Sequence, residues 1–387
     1  MIQPGRWLGV MGGGQLGRMF CQSAQAMGYR VLVLEPDAET PACQLADDVI
    51  ASRYDDDAAL EQMASRCDAV TTEFENVPAR SLAALAATRR VTPGAKAVEI
   101  AQDRSVEKAF VESLGIPVAP YVRIEKIEDL DQVDVRLISD GILKSSRLGY
   151  DGKGQARVKD HASVVQAFKD MGQVPCVLEA RLPLARELSV VLARGLNGEV
   201  AVYDVARNIH HNGILAVTHV DGRHDKSTEK ARQWATKIAH GLDYHGVLCV
   251  EFFELTDGSL VVNEMAPRPH NSGHYTQNAC VTSQFEQQAR VMAGLPLGDT
   301  RLLAPVVMLN LLGDVWLQGK GGEYQEPDWT KVLKHRGVSL HLYGKKQARL
   351  GRKMGHINVT AGSMQEAVDI ANQVVEQLHL PVRATLD

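Results

Sequence analysis

The sequence has six cysteines, yet no C-x-x-C pair, and Cys21, Cys43, Cys67, Cys176, Cys249 and Cys280 stand far apart from one another and from clustered histidines. That excludes a thiolate metal finger or a disulfide framework as the organising device, and it suits reduced, buried thiols in a cytoplasmic protein. Aromatic residues make up only 5% of the chain and the net charge is -5, so the stacking platforms and positive field of a nucleic-acid binder are lacking. No apolar run approaches the roughly 20 residues that cross a bilayer. The first eleven residues hold too few apolar positions for a secretory signal. Long repeats and low-complexity segments are missing too. The expectation is a soluble, cytoplasmic protein with neither membrane nor nucleic-acid partners, and its 387 residues exceed one ordinary core, predicting two or three domains.

What is there begins with a strand at 7–11 that runs into Gly12-Gly13-Gly14-Gln15-Leu16-Gly17 and a helix ending at Gly28, before a second strand at 29–34. The spacing Gly12, Gly14, Gly17 satisfies the dinucleotide fingerprint, with Glu35 near the place of an acidic ribose ligand. The physics alone guarantees less: backbone N–H groups at a helix start can hold an anion, a monophosphate as well as a pyrophosphate, and Glu35 equally well caps the strand. The alternation continues with a helix at 58–65 and a strand at 69–72 delivering Glu73-Phe74-Glu75-Asn76, where open α/β sheets bind ligands. A short helix at 79–87, then Gln102-Asp103-Arg104 leading a helix at 106–114, close a first domain at 1–115, before a Pro-rich linker.

A small domain at 116–180 opens with a strand at 141–144 that ends on Lys144. Residues 145–155 follow, with Gly149, Gly152 and Gly154 making a flap able to lie against phosphates. It is no Walker A loop, because Gln155 and Ala156 stand where Lys and Ser or Thr belong. Lys144 either supplies that charge or is a solvated strand end. After a helix at 162–171, a strand at 176–179 leads through Glu179, Ala180, Arg181 and Leu182 to Glu187 and a strand at 188–193, opening a large domain at 181–387. Strands at 200–205 and 214–220 flank residues 208–213, which read as a turn holding His210 and His211, and a helix at 227–240 follows.

Two apolar runs, 246–254 and one starting at Ser259, are joined through Thr256-Asp257-Gly258, and Asp-Gly between such runs signals a hairpin. With Asp257 and Gly258 as central turn residues, Thr256 faces Ser259 and Glu251 faces Glu264. Carboxylates so opposed, roughly 5 Å apart at Cβ, repel one another, and a hard divalent ion with oxygen ligands relieves them; Mg²⁺ fits best, since one or two carboxylates suffice for it. The second strand then gives way to Asn263-Glu264-Met265-Ala266-Pro267-Arg268-Pro269-His270-Asn271-Ser272-Gly273-His274, a run that gathers charge. Beyond a helix at 283–293, a strand at 305–312 and a loop at 313–329, residues 331–356 carry eight Lys or Arg and no Asp or Glu. Their alternation with apolar residues predicts a hairpin aiming Lys345, Arg349, Arg352 and Lys353 at one place, suited to a phosphorylated small molecule. A helix at 364–378 closes the chain.

These pieces resemble the ATP-grasp ligases. Within them, Gly-Gly-Gly-Gln-Leu-Gly-Arg-Met at 12–19, Thr-Glu-Phe-Glu-Asn-Val at 72–77, Gly-Tyr-Asp-Gly-Lys-Gly-Gln at 149–155, the run at 263–276 and Arg-Lys-Met-Gly-His at 352–356 are similar to signatures of the N5-carboxyaminoimidazole ribonucleotide synthetase family of purine biosynthesis. The resemblance spans nearly the whole chain. It implies α/β and α+β architecture: a doubly wound parallel-sheet pre-ATP-grasp domain, a small flap domain, and a large antiparallel-sheet domain with a β-rich subdomain from about 305. It implies that ATP and bicarbonate form carboxyphosphate, which carboxylates 5-aminoimidazole ribonucleotide, with two Mg²⁺ ions, or Mn²⁺, held by Glu251 and Glu264.

By the same resemblance Arg104, Lys144, Gly149, Tyr150, Asp151, Gly152, Lys153, Gly154, Gln155, Glu179, Ala180, Arg181, Leu182, Glu187, His210, Asn263 and Glu264 contact ATP. Gly13, Gln15, Leu16, Glu73, Tyr150, Asp151, Lys153, Ser272, Lys345 and Arg352 meet the ribonucleotide, while Arg268, His270 and Asn271 hold bicarbonate, with Lys144 and Asp151 also catalytic. The family is typically homodimeric, and with no further domain after 387 the next step is expected on a separate protein. A formate-using ATP-grasp formyltransferase is the alternative enzyme, although Asp-Thr-Gly is expected there in place of Asn271-Ser272-Gly273; an NAD-binding oxidoreductase or sensor built on the Gly12 turn is the alternative of another class.

Overall fold

The computed structural model describes residues 1–149, 154–319 and 321–385. Strands β1 (Trp7–Met11), β2 (Arg30–Leu34), β3 (Asp48–Ile50), β4 (Ala69–Thr72) and β5 (Arg90–Val91) form a parallel sheet in the order β3-β2-β1-β4-β5. Both faces are covered, which is why β1 and β4 are apolar or small along almost their whole length. Met11 lies level with Leu34 and Thr72, so the glycine turn, Glu35 and Glu73 leave the sheet at one carboxyl edge.

One face of this sheet packs on helix Gln15–Ala26 and is finished by a helix distant in sequence, Gln284–Ala293, whose Phe285, Ala289 and Met292 share a core with Leu8, Val10 and Phe20. Buried almost all round, that helix satisfies its polar side chains internally: the Gln288 amide oxygen accepts from Val247 N–H, and its nitrogen donates to the Thr71 hydroxyl and the Thr92 carbonyl.

The next four strands, β6 (Tyr121–Ile124), β7 (Gly141–Ser145), β8 (Gln155–Val158) and β9 (Cys176–Ala180), form an antiparallel sheet in the order β6-β9-β7-β8 with a core of its own. The largest sheet holds nine described strands: β10 (Leu184–Arg194), β11 (Val200–Val202), β12 (Ala206–His211), β13 (Ile214–Val220), β14 (Gly246–Leu255), β15 (Leu260–Ala266), β16 (Val306–Leu312), β17 (Val338–Leu342) and β18 (Lys353–Thr360). Its antiparallel path is β15-β14-β10-β12-β13-β16-β18-β17, with β11 beside β10. Helix Lys226–Gly241 covers one end and helix Met364–Leu378 the other.

Two expectations need correction. His210 and His211 are strand residues of β12; the turn is Asn212-Gly213 alone, both at positive φ (51° and 77°), the two-residue turn that lets the ladder run up to its flanks. The stretch 313–329 is also not all loop, since Gly313–Trp316 forms a short 3₁₀ turn and a helix starts at Trp329. The basic hairpin is present as β17 and β18, with His341 level with His356. Among the described residues, no helix is long and apolar enough to cross a membrane.

Candidate active site

Hairpin β14–β15 does set Glu251 opposite Glu264, but by another route than the Asp-Gly turn predicts. The loop is three residues, 256–258: Leu255 N–H donates to the Ser259 carbonyl, and Gly258 takes φ +79° as the left-handed residue of such loops. Near the tip, therefore, Glu254 faces Leu260 and Phe252 faces Val262, one residue off the expected register. A bulge at Asn263 adds the residue back, and from Glu251 onward the expected pairs hold.

Carboxylates crowd one another at this end. Arg104 donates to Glu264 at 2.8 Å and, against the effect of burial, holds it below the usual carboxylate range. Burial and the neighbouring Glu264 push Glu251 up to about 7. On the adjacent strands His210 Nδ1 lies 2.9 Å from Glu187, which keeps the imidazole's pKa raised although burial opposes it. Two opposed carboxylates of this kind suit Mg²⁺, which needs only one or two from the protein, and Glu251 and Glu264 are the pair that would hold it; among the described residues there is no group of three or more His, Cys, Asp or Glu placed to hold a metal ion.

Sequence reasoning missed a third carboxylate. Glu107, on helix Arg104–Ser113, accepts from Met265 N–H at 2.5 Å, and burial together with Glu264 pushes it up to about 8. Its neighbour Lys108, 2% exposed, sits 3.2 Å from Glu179, whose other oxygen accepts from Lys144 at 2.9 Å. The signal was legible: Arg104, Glu107, Lys108 and Val111 share one helical face, with charge where apolar residues belong.

After β15 the chain delivers Arg268, His270 and Asn271 to the cavity wall. The Arg268 Nε–H donates to Glu75 at 2.6 Å and holds that carboxylate below its usual range despite burial. His270 is neutral, its pKa far below the ordinary value through burial and then the Arg268 charge. Its Nδ1 accepts from Ser272 N–H at 3.3 Å and lies 2.9 Å from the Ser272 hydroxyl, so the ring proton is on Nε2, 3.7 Å from Glu251. Ser272 is fully buried and does not line the cavity; its hydroxyl lies against His270 and, at 3.7 Å, the Cys249 sulfur.

The cavity, about 760 Å³, opens between three walls: Gln15, Leu16 and Glu73 on the parallel sheet's edge; Arg104, Glu107 and Glu264 with the Arg268–Asn271 run; and Lys345, Arg349, Arg352 and Lys353 from the basic segment. Gly149 closes one side. Lys144, Glu179, Glu187, His210 and Glu251 form an adjoining cluster behind Arg104 and Glu264, and Asn263 is the bulge residue between them. Ala180 and Arg181 give their N–H groups to the Pro120 and Asp140 carbonyls, Leu182 lies on the crossover to β10, and Gln155 pairs with Lys144 beside Gly154. Tyr150, Asp151, Gly152 and Lys153 lie outside the described residues.

The glycine turn differs from a dinucleotide site. Gly13 N–H donates to Glu35 at 2.7 Å, while Gly14 and Gly17 N–H donate to Glu73 at 2.5 and 2.8 Å. A Cβ on Gly13 would meet Thr40 at 2.0 Å. The amides a pyrophosphate would use are already engaged by the protein's own carboxylates, and only Gln15 and Leu16 of the turn face the cavity.

Fold and site together define an ATP-grasp enzyme, a ligase. Family models match along the chain: the ribonucleotide synthetase preATP-grasp domain at 6–102, the ATP-grasp domain at 109–285 and the phosphoribosylaminoimidazole carboxylase C-terminal domain at 306–369. The chain is 46% identical over 362 residues to N5-carboxyaminoimidazole ribonucleotide synthase of Brucella melitensis, covering 92% of this chain and 96% of that one, and 43% identical over 358 residues to the enzyme of the same name from Bacillus subtilis, covering 92% of each. A solved ADP complex of N5-carboxyaminoimidazole ribonucleotide synthetase superposes with a TM-score of 0.89 at 41% identity, over 98% of this chain and 97% of that one. The Aspergillus clavatus synthase in complex with ADP and 5-aminoimidazole ribonucleotide gives 0.85 at 29% identity, over 97% and 99%. The chain belongs to the N5-carboxyaminoimidazole ribonucleotide synthase family, which acts in an ATP-dependent step of purine biosynthesis.

Proposed function

We propose that this ligase uses ATP and bicarbonate to carboxylate the exocyclic amine of 5-aminoimidazole ribonucleotide. The observation that carries the reading is one cavity that joins a basic segment, a half-buried Arg-Pro-His-Asn run and Glu264 of the β14–β15 hairpin. The bicarbonate oxygen attacks the γ-phosphorus of ATP, ADP leaves, and carboxyphosphate forms; the amine then attacks its carbonyl carbon, phosphate leaves and the amine loses a proton. Glu251 and Glu264 would hold Mg²⁺, which when bound with ATP neutralises phosphate charge. Arg268 offers its guanidinium, and neutral His270 with Asn271 offers hydrogen bonds, to the bicarbonate and its phosphorylated form.

Lys345 and Arg352, with the Gln15–Leu16 edge, take the ribonucleotide phosphate, and Glu73 faces the rest of that substrate. Lys144, Arg104, Glu179, Leu182, Glu187 and His210 belong to the ATP side. Residues 149–155 exclude water from carboxyphosphate, with Tyr150, Asp151 and Lys153 in contact with the ribonucleotide. Domain limits of 1–115, 116–180 and 181–387, and a homodimer in solution, are part of the same proposal. Most of the catalysis is positioning and electrostatics.

The test is ADP release with 5-aminoimidazole ribonucleotide, with bicarbonate or formate in turn. Bicarbonate dependence is expected; formate dependence would make the chain a formyltransferase instead.

A further inference from the structure

Glu179 is one carboxylate between two buried lysines. Lys144 Nζ donates to one of its oxygens at 2.9 Å, and Lys108 Nζ stands 3.2 Å from the other. All three groups are buried, and the Lys108 ammonium and the second Glu179 oxygen make no well-aligned hydrogen bond among the described residues. Tyr121, level with Glu179 on the neighbouring strand, puts its ring 5.7 Å from the Lys108 nitrogen. The lysines come from different parts of the fold: Lys144 is the last residue but one of β7, paired with Gln155, whereas Lys108 lies on the helix that also sends Arg104 to Glu264.

Two ammonium groups share one carboxylate here, with Glu264 also near Lys144 and Glu107 near Lys108, so Lys144 is able to turn to a further anion while Glu179 keeps a cation. The proposed function brings one, the ATP phosphates, to Lys144, but a Lys144 that turned to them would leave Glu179 buried without its hydrogen-bonded cation. We propose that Lys108 is a positioning residue of the nucleotide site: it holds Glu179 ionised and in place while Lys144 turns from Glu179 to the ATP phosphates. Lys108 acts through Glu179 and does not touch the nucleotide. This inference rests on the reading of Lys144 and Glu179 as ATP-side residues.

The experiment compares Lys108→Met, Lys108→Arg, Glu179→Gln and the double variant Glu179→Gln/Lys108→Met by calorimetric ADP binding and by KM for ATP and for the ribonucleotide. Lys108→Met is expected to weaken ADP binding and raise KM for ATP by about 10-fold or more, with KM for the ribonucleotide nearly unchanged. Lys108→Arg, which keeps the charge, should recover most of the loss. In the Glu179→Gln background the Lys108→Met change should add almost nothing, because the carboxylate it serves has gone; that pair also removes opposite charges together, so it reports even where the single variant fails to fold. A full-sized further loss in the double variant would overturn the proposal, as would a Lys108→Met enzyme with unchanged ADP binding or with both KM values raised alike. Lys144→Met binding ADP normally would instead overturn the placing of the ATP site.

Discussion

The glycine turn and the β14–β15 hairpin both deliver charge to the same cavity from strand ends, and they are balanced in opposite ways. At the turn, backbone donors meet the protein's own carboxylates: Glu35 takes Gly13, and Glu73 takes Gly14 and Gly17. At the hairpin, Glu264 lies between Glu251 and Glu107 with Arg104 as its hydrogen-bonded cation, and burial and then Glu264 push Glu251 and Glu107 upward in pKa. At the turn the carboxylate oxygens are satisfied by backbone donors, even though burial and the neighbouring Glu35 push Glu73 upward; at the hairpin carboxylates face one another, an arrangement that suits an external cation. The lesson runs against the sequence motif, since the recognisable phosphate fingerprint is the satisfied region and the plain Asp-Gly hairpin is the unsatisfied one.

The largest test of that contrast is Glu264→Gln, which should lower Mg²⁺-dependent turnover by about 100- to 1,000-fold, the scale of losing one preorganised electrostatic group, with the circular dichroism spectrum retained. Near-normal activity would mean that the hairpin carboxylates serve something other than the metal. Next comes Arg352→Ala on the basic wall: KM for the ribonucleotide should rise about 10- to 100-fold, the value of a charge-assisted hydrogen bond, and KM for ATP much less. The reverse ranking would dissolve the division between the two ends.

The crowding can also be titrated. The Glu107 carboxyl holds its proton up to about 8 in the folded chain against 4.5 ordinarily. Between those values the folded state carries a proton the unfolded state has released, so stability falls as pH rises through the window and is greatest at its acid end. Chemical denaturation of Glu107→Gln across that range should show a flatter profile, by something on the order of 1 kcal/mol; parallel profiles would show that Glu107 is not strained. The smallest effect belongs to the matched region. Glu35→Gln keeps one acceptor for Gly13 and Tyr54, so a stability loss of about 1 kcal/mol with turnover little changed is expected, and a collapse of ribonucleotide binding would show that the turn is less self-contained than its hydrogen bonds indicate.

Periodicity and turn chemistry made the alternating strands and helices of the first sheet readable, and β4 lies where the pattern puts it. The opposition of Glu251 and Glu264 was legible only because two departures cancel, a three-residue loop and a one-residue bulge. Sequence spacing carries the sum of such offsets and not their positions. Glu75 was readable as a strand-end carboxylate and the charged face of Glu107 and Lys108 as a helical stripe, but what each one binds lies 193, 158 and 71 positions away, which spacing does not reveal. The side-on contact of helix Gln284–Ala293 with the first sheet escaped for the same reason: its three buried glutamines read as a polar surface until the backbone groups they bind are known.

That helix has a consequence for the chain's birth. The apolar face around Leu8, Val10 and Phe20 is covered in part by Phe285, Ala289 and Met292, which leave the ribosome about 190 residues after β5. At 5–20 residues per second the gap lasts about 10–40 s. For that interval the nascent first sheet has this face only partly covered, by its own helix Gln15–Ala26, and a fragment ending near residue 115 should share the resulting stickiness permanently.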